Sequence, residues 1–79
     1  MANIIIYSTP SCVYCKLAKQ FFAQHNLPYT EHNVQEDIQA QQDMIAKSQQ
    51  LGVPVIDVDG EIFVGFDKKG LSEALKIGQ

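Results

Sequence analysis

The chain has 79 residues and a formal net charge of −3, and 46% of its residues are hydrophobic. This length predicts one domain over residues 1–79, with enough apolar side chains for a core that needs no disulfide scaffold. The acidic balance without a basic patch excludes nucleic acid as an expected partner, and no stretch approaches the ~20 apolar residues of a membrane span.

The start of the chain and the cysteine content bear on location. Met1-Ala2-Asn3 has no charged lead and no long apolar run, so we expect no signal peptide and a cytoplasmic protein. In that reducing compartment a pair of cysteines serves catalysis or metal binding rather than structural bridging.

The first half of the chain predicts a strand, a helix and a second strand. Residues 3–7 form an apolar run typical of a strand buried on both faces. A helix follows from Cys12 to His25, and its apolar stripe has spacings of three and four residues: Tyr14, Leu17, Ala18, Phe21 and Phe22. Residues 28–34 are rich in β-formers but polar, which predicts an edge strand. A strand–helix–strand unit implies parallel pairing and a right-handed connection.

A second helix is predicted from Glu36 to about Gln50, with Glu36 and Asp37 in its first turn. Its glutamines predict a solvated face, and its weak apolar face comprises Ile38, Ala40, Met44, Ile45 and Ala46. The stretch from Leu51 to Pro54 ends this helix, with Gly52 as the expected C-terminal cap.

The last third predicts a hairpin and a helix. Asp59-Gly60 joins strands over residues 54–58 and 61–64, because Asp-Gly between β-rich runs is a strong hairpin signal. Asp67 is expected to cap a helix from Lys68 to about Ile77. We expect Gly78 to stop this helix, and its buried face to comprise Leu71, Ala74 and Leu75.

The element order β-α-β-α-β-β-α predicts an α/β fold with a four-stranded mixed sheet and helices on both faces. The first strand is expected at the centre, parallel to the second, with the hairpin on its other side. Helices one and three would cover one face of the sheet and helix two the other.

Cys12 and Cys15 lie where the first strand gives way to the first helix, one turn apart on the same helix face. Their sulfurs can therefore come within bonding range and alternate between a dithiol and a disulfide. If Ser11 caps the helix, Cys12 falls in the first turn, where free N–H groups and the helix dipole favour a negative sulfur. Cys15 lies a turn further in and should stay protonated. We therefore expect Cys12 to attack a disulfide and Cys15 to resolve the product.

The sequence resembles the glutaredoxin family, within the thioredoxin fold, over almost the whole chain. The resemblance rests on Cys12-Val13-Tyr14-Cys15 after a strand, Lys16 behind the pair, Val53-Pro54 before the third strand and Gly65-Phe66-Asp67 before the last helix. It implies a thioredoxin-like fold and a thiol–disulfide oxidoreductase that reduces protein or glutathione mixed disulfides. Glutathione or a dedicated reductase would restore the dithiol, and no resident cofactor is implied.

The resemblance also implies a cis peptide between Val53 and Pro54, with the Val53 backbone pairing with a peptide-like substrate. It implies glutathione- or substrate-binding roles for Tyr14, Lys16 and Asp67. The residues alone allow plainer roles: Pro54 in trans opening an edge strand, Tyr14 packed over the helix start, Asp67 as a cap only, and Lys16 in solvent.

Several positions depart from the pattern of glutathione-using members: Thr9, Val13, Gly52, Phe66 and Lys68 stand where those members often have Lys, Pro, Thr, Gly and Asp. Phe66 would add bulk where glutathione passes, and Lys68 with Lys69 reverses the local charge. These departures point to an electron donor such as a thioredoxin reductase. The ribonucleotide-reductase-serving subset usually has a tryptophan near the last helix, and this chain has no Trp, so we do not assign it there.

Three alternatives compete with this interpretation. Zinc binding by Cys12, Cys15, His25 and His32 is disfavoured because the spacing misses zinc-finger spacing and both histidines are expected at the surface, so we expect no metal site. An iron–sulfur cluster shared between two subunits through Cys12 and glutathione is not excluded. A non-catalytic binding module with idle thiols is the third. We otherwise expect a monomer acting on disulfide-containing proteins.

Overall fold

The computed structural model describes residues 3–50 and 52–76. It has seven elements in the predicted order: β1 (Ile4–Ser8), α1 (Val13–Gln24), β2 (Thr30–Asn33), α2 (Ile38–Ser48), β3 (Val55–Val58), β4 (Glu61–Val64) and α3 (Lys68–Leu75). The expectations for Met1, Ala2, Leu51, Ile77 and Gly78 lie outside the described residues.

The four strands form one mixed sheet in the order β2-β1-β3-β4. β1 pairs in parallel with β2 and antiparallel with β3, and β3 pairs antiparallel with β4. The central position of β1 and the edge position of β2 are therefore confirmed, as is the four-stranded mixed sheet of an α/β fold. Asp59 (φ 52°) and Gly60 (φ 94°) both have positive φ, as a two-residue hairpin turn requires.

Two hydrophobic clusters hold the helices on opposite faces of the sheet. On one face α1 and α3 pack together against β1 and β3, through buried side chains that include Phe21, Phe22 and Leu71. On the other face Ala40 and Met44 of α2 pack with Tyr7, Val34 and Val55. The predicted division of the three helices between the two faces is confirmed.

The prediction for the apolar stripe of α1 was partly wrong. Tyr14 is 63% exposed and Leu17 is 40% exposed, whereas the buried side chains of this helix are Cys15, Ala18, Phe21 and Phe22. The helix face that packs on the sheet therefore includes Cys15 and excludes Tyr14 and Leu17. As a result, Tyr14 and Leu17 leave an apolar surface next to the start of the helix.

The ends and packing of α2 also differ from the prediction. Asp37 is the N-cap, because its side chain accepts a hydrogen bond from the Ala40 amide at 3.1 Å, so Glu36 and Asp37 precede the first turn. Gln49, with left-handed backbone (φ 62°), is the C-cap in place of Gly52. Ile38 is 70% exposed, because the short helix seats only the Ala40–Met44 side on the sheet.

Among the described residues, no helix is long and apolar enough to cross a membrane.

Candidate active site

Cys12 is itself the N-cap of α1, and the predicted capping role of Ser11 is wrong. The Cys12 backbone is extended (φ −84°, ψ 115°), and its Sγ accepts a hydrogen bond from the Cys15 amide at 3.1 Å. A cap side chain typically accepts from the amide two or three residues on, and here a sulfur takes the place that a hydroxyl oxygen usually fills. The sulfur therefore lies at the helix N-terminus, where amide donors and the helix dipole stabilise negative charge.

Cys15 has the opposite environment. It is fully buried in the first turn of α1, and burial raises the pKa of its thiol to about 12. The hydrogen bond with the Cys12 side chain contributes to this rise, whereas the Thr9 backbone and the Lys19 cation act in the opposite direction. Both cysteines are free thiols in this structure. At neutral pH Cys15 is therefore a protonated thiol, in agreement with the sequence-based expectation.

The sheet topology brings the other candidate segments to the same end of the molecule. β1 runs antiparallel to β3 with Tyr7 opposite Val55, so the loop carrying Cys12 and the Val53-Pro54 segment lie at one sheet end. The Gly65 amide donates to the Pro54 carbonyl at 2.8 Å, which brings the start of α3 there as well. The Val53–Pro54 peptide is cis, as the resemblance implied, with Pro54 buried and Val53 partly exposed.

Asp67 is the N-cap of α3, as predicted, and its Oδ1 accepts from the Gly70 amide at 3.0 Å. Its side chain is otherwise exposed, so capping and ligand binding remain compatible. Phe66 beside it packs edge-on against Phe21, with ring centroids 5.8 Å apart. This contact turns the ring toward the core and weakens the expectation that Phe66 hinders glutathione.

Tyr14 and Lys16 are both exposed on the outer side of α1, on either side of buried Cys15 in the sequence. The plainer expectation that Tyr14 packs over the helix start is therefore wrong, because its side chain is exposed. Lys16 donates its backbone amide to the Cys12 carbonyl at 3.3 Å, which fixes the first turn. Both side chains are available to a ligand that approaches Cys12.

Each histidine packs on an aromatic ring, and the two rings lie on different elements, α1 and β1. His25 meets Phe21 edge-on at 4.8 Å, and His32 stacks on Tyr7 at 5.5 Å. Over residues 3–50 and 52–76, no group of three or more His, Cys, Asp or Glu side chains could hold a metal ion.

The structure contains a polar cluster that the sequence did not predict. Glu31 Oε2 accepts hydrogen bonds from Ser8 Oγ at 2.7 Å and from Lys19 Nζ at 2.8 Å. The available signal was the spacing of Lys19, four residues after Cys15 on the same helix face. The contribution of Glu31 could be recognised only from the sheet, which places β2 beside β1.

The chain is similar to known proteins over most of its length. A family model described as glutaredoxin matches residues 4–64. An uncharacterized glutaredoxin-like 8.6 kDa protein in the rubredoxin operon of Clostridium pasteurianum is 40% identical over 73 residues, which cover 92% of this chain and 97% of that protein. The glutaredoxin-like protein NrdH of Lactococcus lactis is 29% identical over 73 residues, covering 89% of this chain and 96% of that protein.

A solved structure is similar over nearly the full length. The crystal structure of a variant of the thioredoxin-like protein BC3987 superimposes with a TM-score of 0.91 at 29% identity, covering 99% of this chain and 100% of that one. The matched family region contains both cysteines and the Val53–Pro54 turn. The chain therefore belongs to the glutaredoxin family, a family of thiol–disulfide oxidoreductases.

Proposed function

We propose that this protein reduces disulfides by a dithiol mechanism in which Cys12 is the attacking nucleophile and Cys15 is the resolving thiol. The observation that carries the proposal is the hydrogen bond from the Cys15 amide to Cys12 Sγ, at 3.1 Å. It places the partly exposed sulfur at the helix N-terminus and keeps the second, buried thiol one turn away.

The reaction has two exchange steps. The Cys12 thiolate attacks one sulfur of the substrate disulfide, forms a mixed disulfide and releases the first substrate thiolate, which takes a proton from water. Cys15 then loses its proton to solvent and attacks Cys12 Sγ, which forms the Cys12–Cys15 disulfide and releases the second substrate thiolate. The substrate gains two electrons, and an external thiol or reductase must return two electrons to the protein.

We infer that a thioredoxin reductase supplies those electrons in preference to glutathione. Exposed Lys68 and Lys69 follow Asp67 at the start of α3, where a glutathione amine would meet like charge. Asp67 still offers one carboxylate to such an amine, so glutathione is the alternative donor. Tyr14, Lys16 and the Val53 backbone would line the approach of either a glutathionylated or a protein substrate.

The donor is identified by supplying oxidised protein with NADPH and one of two couples. The first couple is thioredoxin reductase alone, and the second is glutathione with glutathione reductase. We expect NADPH consumption with thioredoxin reductase. Consumption only with the glutathione couple would reverse the donor assignment, and no consumption with either couple would count against the oxidoreductase mechanism itself.

The two cysteines serve as matched controls for each other. Cys12→Ser should abolish reduction of every disulfide substrate. Cys15→Ser should abolish reduction of protein disulfides that need a second thiol, while a mixed disulfide forms on Cys12 and accumulates. Equal loss of mixed-disulfide formation in both variants would contradict the division of roles.

Asp67 variants separate capping from ligand binding. Asp67→Asn keeps an oxygen for the Gly70 amide and removes the charge, whereas Asp67→Ala removes both. If Asp67 binds glutathione, KM for glutathione should rise in both variants, while stability should fall only in Asp67→Ala. An unchanged KM in both variants would leave Asp67 with its cap alone.

Two other functions give different signals. A subunit-bridging iron–sulfur cluster on Cys12 predicts a visible absorption band in protein purified anaerobically and a dimer, whereas we propose a monomer without a resident cofactor.

An idle binding module predicts that both thiols react with an alkylating reagent with the same pH dependence. The dithiol mechanism predicts that Cys12 is alkylated much faster than buried Cys15 near neutral pH.

A further inference from the structure

The cluster formed by Lys19, Glu31 and Ser8 is built into the fold beside the resolving cysteine. Ser8 is 1% exposed at the end of β1, and its hydroxyl donates to Glu31 Oε2 at 2.7 Å. Lys19 Nζ donates to the same oxygen at 2.8 Å. The Lys19 and Glu31 side chains are 28% and 37% exposed, so the ion pair lies at the boundary between the core and solvent. The Lys19 ammonium group is thereby fixed rather than free to turn into solvent.

Both members of the pair are charged at neutral pH. The hydrogen bond from Lys19, followed by that from Ser8, holds the pKa of Glu31 below its usual value. The hydrogen bond to Glu31 raises the pKa of Lys19. Lys19 lies four residues after Cys15 in α1, a spacing that puts their Cβ atoms about 5–6 Å apart on one helix face. A fixed positive charge therefore lies one turn from the buried thiol.

A positive charge near Cys15 would favour its thiolate, and only the thiolate can attack the mixed disulfide. Within the described chain, three neighbours besides burial shift the pKa of the Cys15 thiol. Cys12 raises it, and the Thr9 backbone and Lys19 lower it. On the β2 side, Glu31 and the preceding Tyr29 act on the pKa of Lys19. On the α3 side, apolar Leu71 lies in the hydrophobic cluster to which α1 belongs. Once Cys12 is bonded in a mixed disulfide, its sulfur can carry no negative charge, and the Lys19 cation remains.

We propose that Lys19, held in place by Glu31 and Ser8, is a positioning residue that stabilises the Cys15 thiolate during the resolving step. The inference rests on the proposed dithiol mechanism. The Cys15 proton passes to solvent, the Cys15 sulfur forms a bond to Cys12 Sγ, and the bond from Cys12 to the substrate sulfur breaks. Lys19 keeps its proton throughout and acts through charge. Its removal should therefore slow resolution and leave the initial attack by Cys12 unchanged.

A single-turnover experiment tests this. Cys12 is converted to its mixed disulfide with 2-nitro-5-thiobenzoate at acidic pH, and release of the coloured thiolate is then followed by stopped flow from about pH 6 to about pH 9. We expect Lys19→Gln to slow release several-fold at each pH in this range, because loss of the cation lowers the fraction of Cys15 that is present as thiolate. Lys19→Arg should restore most of the rate, since it keeps the charge.

Two control variants accompany this experiment. Lys76→Gln removes an exposed lysine at the far end of α3 and should leave release unchanged. Cys15→Ser should release nothing, and release by this variant as fast as by the wild type would overturn the dithiol mechanism and this inference with it. If the wild type releases the thiolate and Lys19→Gln matches it, only the Lys19 inference fails. Equal slowing in Lys19→Gln and Lys19→Arg would show a structural role and would also overturn it.

Discussion

At the scale of single residues, the different chemistry of two cysteines follows from their positions in one helical turn. Cys12 is extended and partly exposed, so its sulfur can receive an amide hydrogen bond, whereas Cys15 is fully buried. Burial disfavours the charged form of any thiol, which is why the pKa of Cys15 is raised to about 12. The same side chain type thus lies in two different environments, which fit the proposed roles of attack at Cys12 and resolution at Cys15.

The raised pKa of Cys15 predicts a pH-dependent stability of the reduced protein. Between the ordinary thiol value of 9.0 and about 12, the unfolded chain loses the Cys15 proton while the folded chain keeps it. The folded state then binds more protons, so the free energy of unfolding should fall as pH rises through this window and be unaffected below it. Urea unfolding of reduced wild type and Cys15→Ser at several alkaline pH values measures the difference. Parallel pH dependences in the two proteins would contradict the prediction, because tyrosine and lysine titration is common to both.

At the scale of helices and strands, side chains at three helix starts perform one task. Cys12, Asp37 and Asp67 each accept a hydrogen bond from the amide three residues on. Only the first of these caps has a thiol that could act as a nucleophile, because the other two caps are aspartates. This cap lies between the end of β1 and the start of α1. The helix start that stabilises the fold is therefore also the one proposed to activate the chemistry.

Removing the cap of α2 should weaken the protein without touching the cysteines. Asp37→Ala loses the acceptor for the Ala40 amide and is expected to lower the free energy of unfolding by about 1 kcal/mol. Asp37→Asn should retain most of that stability, since its side-chain oxygen can accept the same bond. Asp43→Ala, at an exposed position within α2, is the matched control for loss of a carboxylate. Equal losses in Asp37→Ala and Asp43→Ala would mean that charge, not capping, stabilises this helix.

Gly70 should be a position where a helix-favouring substitution fails to stabilise. Alanine in place of glycine usually gains about 0.5–1 kcal/mol inside a helix. Here a Cβ atom would lie 2.5 Å from Asp67 Oδ2 and 3.1 Å from Phe63 Cε1, so the capping carboxylate must shift. We expect Gly70→Ala to bring no gain in the free energy of unfolding, because loss of the cap costs about 1 kcal/mol and offsets the helix-favouring effect of alanine. Denaturant unfolding of the double variant with Asp67→Ala provides the test, because the penalty should shrink once the carboxylate is absent. A gain in the single variant would contradict the steric argument.

At the scale of the whole molecule, the sequence predicted the seven elements and their topology because each depends on local pattern. Apolar runs, three-and-four spacing and the Asp59-Gly60 turn are all short-range signals. The exposure of Tyr14 was not predictable, since periodicity does not tell which apolar side chains meet the sheet. Ser11 was a better cap than Cys12 by residue preference, and only the backbone shows that sulfur took the role. The cis Val53–Pro54 bond came from the resemblance alone.

Contacts between residues distant in the sequence were the least predictable part of the molecule. The contacts of Lys47 are an example. Its Nζ donates to Tyr7 Oη and to Asp57 Oδ2, both at 2.8 Å, and so joins α2 to β1 and β3. Asp57 is 7% exposed, and its other oxygen accepts from the Gly60 amide at 2.7 Å in the hairpin turn. One side chain therefore links a helix, the central strand and the hairpin on the face opposite α1.

Replacing Lys47 should destabilise the whole fold. Lys47→Met leaves the nearly buried Asp57 carboxylate without its cation, which should lower the free energy of unfolding by about 1–3 kcal/mol. Adding Asp57→Asn to that variant should recover part of the loss, because no uncompensated charge then remains. Lys76→Met, at an exposed site, is the control for the loss of a lysine. Urea unfolding monitored by circular dichroism gives all four values. If Lys47→Met and Lys76→Met unfold alike, the three-way link contributes nothing, and the packing of Ala40 and Met44 holds α2 to the sheet without it.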